Sequence, residues 1–245
     1  MGSMRFAVLA LAALLVVVAV AFAQGPAPPP EPAPTFTPTA TPGPDESPVP
    51  TITPVLPGVP PDFGAIAWRK SSALGSPASK GRLKNGVLLP ELGEDFFTWD
   101  PIRDEIPNRE WRRWGTDRLI RTVLRVVHDY RTEHDGAQRV GIMDLSRPRG
   151  GPFGPDYGGL GHASHQNGLD ADILYPRKDG TERRPTKPSQ VDRKLAQELV
   201  DRFVEAGAVK VFVGPRLNLT GPKNVVVPLI HHDDHLHVRI RQRTS

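Results

Sequence analysis

Apolar residues recur from position 119 as Leu119, Ile120, Val123, Leu124, Val127 and Tyr130. This is the three-and-four spacing of a helix with one buried face. Thr116 just ahead offers an N-cap oxygen, and Asp117 places a negative charge in the first turn. A second helical pattern runs over 190–206, with Ser189 as its expected cap and Gly207 as its stop. Between and after the helices the period drops to two. Residues 140–143, 209–213, 224–227 and 235–240 read as strands, and LDADILY at 169–175 alternates Leu169, Ala171 and Ile173 with Asp170 and Asp172. Residues 80–114 show no sustained period and read as irregular. The pattern predicts an α+β fold: a small antiparallel sheet with flanking helices.

The first 60 residues follow a different pattern. Arg5 precedes an apolar run from Phe6 that ends in Ala21-Phe22-Ala23, the form of a signal peptide over 1–23 cleaved after Ala23. The alternative is an uncleaved anchor, since the run sits at the lower edge of spanning length; a membrane partner is expected only in that case. Residues 24–60 hold fourteen of the chain's 28 prolines and no Lys or Arg. Such a segment buries too little apolar surface to offset its ordering entropy, and is expected to be an extended, disordered linker. The remaining domain, 61–245, carries a net charge of +6. That balance favours an anionic partner, but no Lys/Arg–aromatic pattern marks nucleic acid, and an exported domain points instead to an acidic wall polymer. The chain has no Cys, which excludes disulfides, thiolate metal sites and a Cys nucleophile. Any metal must be held by His and carboxylate.

Those residues are concentrated in two places. GHASHQNGLDADI at 161–173 contains His162, His165, Asp170 and Asp172, and HHDDHLHVRI at 231–240 contains His231, His232, His235 and His237. In a strand, His235, His237 and Arg239 share one face, and Leu236, Val238 and Ile240 the other. If this strand neighbours 169–173, Asp172 converges with both imidazoles, and Gly168 lets the chain bend so that His165 joins them. Two imidazoles, one carboxylate and an open position make the ligand set of a hydrolytic zinc site. Water on such a zinc titrates near pH 7, roughly where an imidazole can take its proton. Of His235 and His237, one is expected to ligate and the other to act as base. His232 is expected to stabilise the developing oxyanion or hold the substrate carbonyl. Asp170 reads as an orienting partner of an imidazole; His162 does the same or reaches the metal. His231 reads as structural, Asp233 and Asp234 as orienting or solvating. Ser146 and Ser164 lack the context of a serine nucleophile.

GHASHQNGLDADI followed much later by HxxHLHVRI resembles the penicillin-insensitive murein endopeptidases. That family is related to the zinc peptidases that include lysostaphin, the D-Ala-D-Ala metallopeptidases and the hedgehog domain. The similarity spans most of 71–240, including RRWGTDRLIRTVLRV, GGPFG and VKVFVGP. It implies a zinc metallopeptidase that cuts peptide crosslinks of peptidoglycan, typically between D-alanine and diaminopimelate, in the periplasm or cell wall. His165, Asp172 and His237 then match the zinc ligands, His235 the base, and His232 and His162 further active-site histidines. One departure stands out: YPRKDGTERRP has Asp179 but no His where some members carry both, which puts a second metal position in doubt. Two other functions fit the same residues. One is a D,D-carboxypeptidase or an L-Ala-D-Glu peptidase; the other is a non-catalytic zinc module that binds peptidoglycan, although such a module needs no base.

Overall fold

The computed structural model describes residues 66–157 and 162–242. The expected signal peptide, the linker and the last four residues of the Gly-rich stretch 149–161 lie outside them. The chain runs β1 (Ser72–Leu74), β2 (Arg82–Lys84), β3 (Val87–Leu88), β4 (Phe96–Thr98), β5 (Trp114–Gly115), α1 (Asp117–Glu133) and β6 (Val140–Ile142). It continues through β7 (Asp170–Leu174), α2 (Arg193–Glu205), β8 (Ala208–Val213), β9 (Val226–Pro228) and β10 (His235–Ile240).

Six of the strands form one sheet in the order β4-β6-β7-β10-β8-β9. The class is α+β, as the periodicity predicts. The sheet is larger than expected and mixed: β6, β7, β10 and β8 pair antiparallel, while β4 lies parallel to β6 and β9 parallel to β8. The parallel edge at β4 comes from FFTW, inside the stretch read as irregular. Two short antiparallel pairs, β1–β2 and β3–β5, lie apart from it.

Alternation sorts the two faces. Ile142, Ala171, Ile173, Val211, Val213, Leu236 and Val238 point to one side. There they form the core with Leu119, Ile120, Val123, Leu124 and Val127 of α1 and Ala196, Leu199, Val200 and Phe203 of α2. Thr116 caps α1 as expected, accepting the Leu119 N–H. α2 starts later than expected: residues 188–190 form a 3₁₀ turn, and Asp192 is the cap, accepting the Lys194 and Leu195 N–H groups. No helix among the described residues is long and apolar enough to cross a membrane. With the helices on one face, the polar residues of β7 and β10 look out from the other.

Candidate metal centre

The register of β7 and β10 builds the centre. His237 lies directly opposite Asp172, and Arg239 opposite Asp170. Asp172 Oδ1 is 3.1 Å from His237 Nδ1, 3.3 Å from His165 Nε2 and 3.8 Å from His235 Nε2; His162 Nδ1 is 3.9 Å from Oδ2. His162, His165 and Asp172 each offer a ligand atom, all within 4.8 Å of one another, and could hold a metal ion. His237 approaches Asp172 from the neighbouring strand.

His165 reaches this point from a loop rather than a strand. Its backbone is left-handed (φ 67°), a conformation unusual for a residue with a side chain. The loop is held against the chain around β1 and β2. The Gln166 N–H donates to the Pro77 carbonyl, and its side chain accepts from the Gly81 N–H and donates to the Ala78 carbonyl. Asn167 Nδ2 donates to the Gly75 carbonyl, and Gly168 (φ 74°) leads the chain back into β7.

Each imidazole has one nitrogen already engaged by an acceptor. His165 donates from Nδ1 to the Leu145 carbonyl (2.6 Å), and His237 from Nε2 to Asp170 Oδ1 (2.8 Å). His235 donates from Nδ1 to Asp234 Oδ1 (2.7 Å), and His162 from Nε2 to Asp144 Oδ2 (2.6 Å). These acceptors fix the tautomers and leave four lone pairs directed at Asp172. An outer shell of this kind orients metal-ligating histidines. His165 Nε2 and Asp172 Oδ1 are buried without a hydrogen-bond partner. Two unsatisfied lone-pair atoms facing each other need a shared cation, so the donor set fits a divalent metal with a preference for nitrogen and oxygen.

The charges agree with this reading. Burial alone would raise the Asp172 carboxyl, but the imidazoles of His165, His235 and His237 around it hold it well below the usual carboxylate range. His237 is raised despite its burial by Asp170 and Asp172, and His235 likewise by Asp172 and Asp234. His232, half-buried with its ring 4.8 Å from that of His235, is lowered by burial and by that neighbour.

Asp170 and Asp234 accept hydrogen bonds from His237 and His235. Sequence reasoning missed Asp144 and Arg112. Arg112, fully buried, grips Asp144 with Nε (2.5 Å) and Nη2, so the carboxylate that holds His162 is itself held. The available signal was a charged residue at the end of the apolar stretch VGIM. His231 is exposed and lies outside the cluster, with φ 65°.

The model of the family described as penicillin-insensitive murein endopeptidase matches residues 73–214. Known proteins similar to this chain carry the same name. That of Yersinia pestis bv. Antiqua is 26% identical over 210 residues, covering 74% of this chain and 73% of that protein. That of Pectobacterium atrosepticum is 27% identical over 194 residues, covering 68% and 66%. That of Klebsiella pneumoniae is 26% identical over 208 residues, covering 73% and 72%. With a family match across more than half of its length, the chain belongs to the penicillin-insensitive murein endopeptidases.

Proposed function

We propose that this chain is a zinc-dependent endopeptidase that hydrolyses the D-alanyl to diaminopimelyl crosslinks of peptidoglycan. Family membership makes it a metallo-endopeptidase and implies a cell-envelope location. In this reading residues 1–23 are a cleaved leader, 24–60 a tether, and 61–245 the exported enzyme. The observation that carries it is the agreement of the four imidazoles, each anchored at one nitrogen and open at the other toward Asp172.

His165 through Nε2, Asp172 through Oδ1 and His237 through Nδ1 are assigned as ligands, a set that leaves a coordination position open. Zinc bound there supplies a Lewis acid that polarises a carbonyl and acidifies water. His235 acts as general base at Nε2 and returns the proton to the leaving amine. Asp234, on its Nδ1–H, stabilises the imidazolium formed between the two transfers. Asp170 orients His237; His162, held by Asp144, lines the open side and is the alternative ligand. His232 donates Nδ1–H to the Ile230 carbonyl and is biased toward its neutral form. Its Nε2 is therefore an acceptor, suited to a substrate N–H; the oxyanion role expected from spacing would need the imidazolium.

The test is metal analysis of the full chain beside digestion of purified crosslinked muropeptides by wild type and His235→Ala. One zinc per chain in both proteins is expected, with dimers cut to monomers by the wild type alone. Release of C-terminal D-alanine without crosslink cleavage would replace this reading with a carboxypeptidase. Zinc without any turnover would replace it with a binding module.

A further inference from the structure

Residues 144 and 145 together touch three members of the centre. The Asp144 carbonyl accepts the Asp172 N–H (2.9 Å), and the Leu145 carbonyl accepts His165 Nδ1–H (2.6 Å). The Asp144 carboxylate accepts His162 Nε2–H (2.6 Å). Two of these acceptors are backbone groups, fixed by the pairing of the chain. The third is a side chain, and what holds it in place is Arg112.

Arg112 is fully buried and uses all three of its side-chain nitrogens. Nε and Nη2 fork onto the two oxygens of Asp144, and Nη1 donates to the Tyr157 carbonyl (3.2 Å) in the Gly-rich stretch. The Arg112 carbonyl also accepts the Leu145 N–H (2.9 Å). Asn108 Nδ2 adds a longer contact to Asp144 Oδ1 at 3.3 Å. A carboxylate gripped in this way only accepts, so the imidazole nitrogen 2.6 Å from it carries the hydrogen. In the rival arrangement Arg112 Nη2 would donate to His162 Nε2. That contact is 3.4 Å long, and its donor is already spent on Asp144 Oδ2. The ring itself is boxed in: Phe153, buried, meets His162 edge-on with centroids 5.1 Å apart, and the Arg112 guanidinium lies 4.9 Å over Phe153.

We infer that Arg112 is a positioning residue of the centre: by fixing Asp144 as an acceptor, it keeps a lone pair of His162, rather than an N–H, facing Asp172. The inference rests on the reading of this site as a metal centre. His162 Nδ1 is 3.9 Å from Asp172 Oδ2. In the other tautomer that nitrogen would carry hydrogen, donate toward Asp172 and compete with a cation for the carboxylate. His165 needs no such device, because its acceptor is a backbone carbonyl.

The test is long-range nitrogen–proton NMR of the histidine rings in the full chain at mildly alkaline pH, with zinc affinity measured beside it. His162 and His165 are identified by the signals missing from His162→Gln and His165→Gln. Metal-free wild type is expected to show His162 as the Nε2–H tautomer and His165 as Nδ1–H. The informative variant combines Arg112→Met with Asp144→Leu, since replacing both members of a buried ion pair by apolar residues of similar size is often tolerated. There His162 should become a mixture of tautomers while His165 stays Nδ1–H, and zinc should bind about tenfold or more weakly. A role confined to stability would leave both tautomers and the zinc Kd of the folded variant as in wild type, and that result overturns the inference. So does His162 as Nδ1–H in the wild type, or loss of the His162 and His165 tautomers together, which marks a general loosening. If the wild type binds no zinc, the metal-centre reading fails on its own; the tautomers of the metal-free protein still decide the role of Arg112.

Discussion

Asp172 has three imidazole nitrogens within 3.8 Å of one oxygen and no hydrogen bond at that oxygen. Asp172→Ala and His165→Ala are each expected to lose bound metal while keeping the fold, read by metal analysis and circular dichroism; full occupancy in either would contradict the ligand assignment. Asp144 carries a different load. Burial pushes its carboxyl up, but hydrogen bonds from His162 and Arg112 outweigh that and bring it to about 2. Its folded pKa lies below the ordinary value of 3.8. The stability it contributes is thus fully present above about pH 4 and is lost as pH falls through about 2. Asp144→Asn is expected to cost about 3 kcal/mol at pH 7, because it leaves the buried Arg112 without its counter-charge. In urea unfolding, the gap from wild type should narrow between pH 4 and pH 2. At this scale Asp172, His235 and His237 were legible in the sequence, because alternation along a strand is a local rule that fixes which side chains share a face. Arg112 and the Leu145 carbonyl were not. Arg112 lies 32 residues from Asp144 and Leu145 20 residues from His165, and only the folded topology brings them together.

Among the elements, the clamp around β1 and β2 decides whether His165 is in place, since it grips the next two residues. Gly150 (φ 71°) tests that coupling: a Cβ there would lie 2.2 Å from the Gln166 carbonyl oxygen and 2.6 Å from the Leu83 nitrogen. Gly150→Ala is expected to cost roughly 2–3 kcal/mol and to weaken metal binding by shifting Gln166. Gly136→Ala is the control. Gly136 also has positive φ (86°) but nothing within 4 Å of its Cβ position, so only the backbone strain of about 1 kcal/mol applies and metal affinity stays unchanged. Chemical unfolding and metal titration of both variants separate the two effects. The start of α1 was legible because Thr116 stands alone before a clean apolar period. The start of α2 was misplaced by three residues, because Ser189 and Asp192 are both capable caps and the 3₁₀ turn at 188–190 decides between them.

At the scale of the molecule, the core lies between two helices and one sheet face, and the candidate metal centre lies on the other face. Metal removal is therefore expected to leave secondary structure intact. Its effect on stability depends on pH. His235 and His237 are raised in the metal-free protein, so the stability they contribute is full below the free-imidazole value of about 6.5 and is lost as pH rises through their folded values. Metal needs the His237 Nδ1 unprotonated and is disfavoured by a charged His235 beside it, so its contribution grows over the same interval. The gap in Tm between loaded and chelator-treated protein should widen from pH 6 to pH 8; a constant gap would mean that these imidazoles do not compete with metal for protons. The orientation of the four imidazoles by protein acceptors also has a consequence for supply. Small zinc domains acquire their shape from the ion, whereas this fold, with its apolar core on the opposite face of the sheet, is expected to form without one. The proposed three-ligand set would do little to reject copper or nickel, which the general affinity order favours or brings close to zinc. Which ion it carried would then be set by the trace-metal economy of the cell envelope, and mismetallation would be the failure to which the fold leaves it most open.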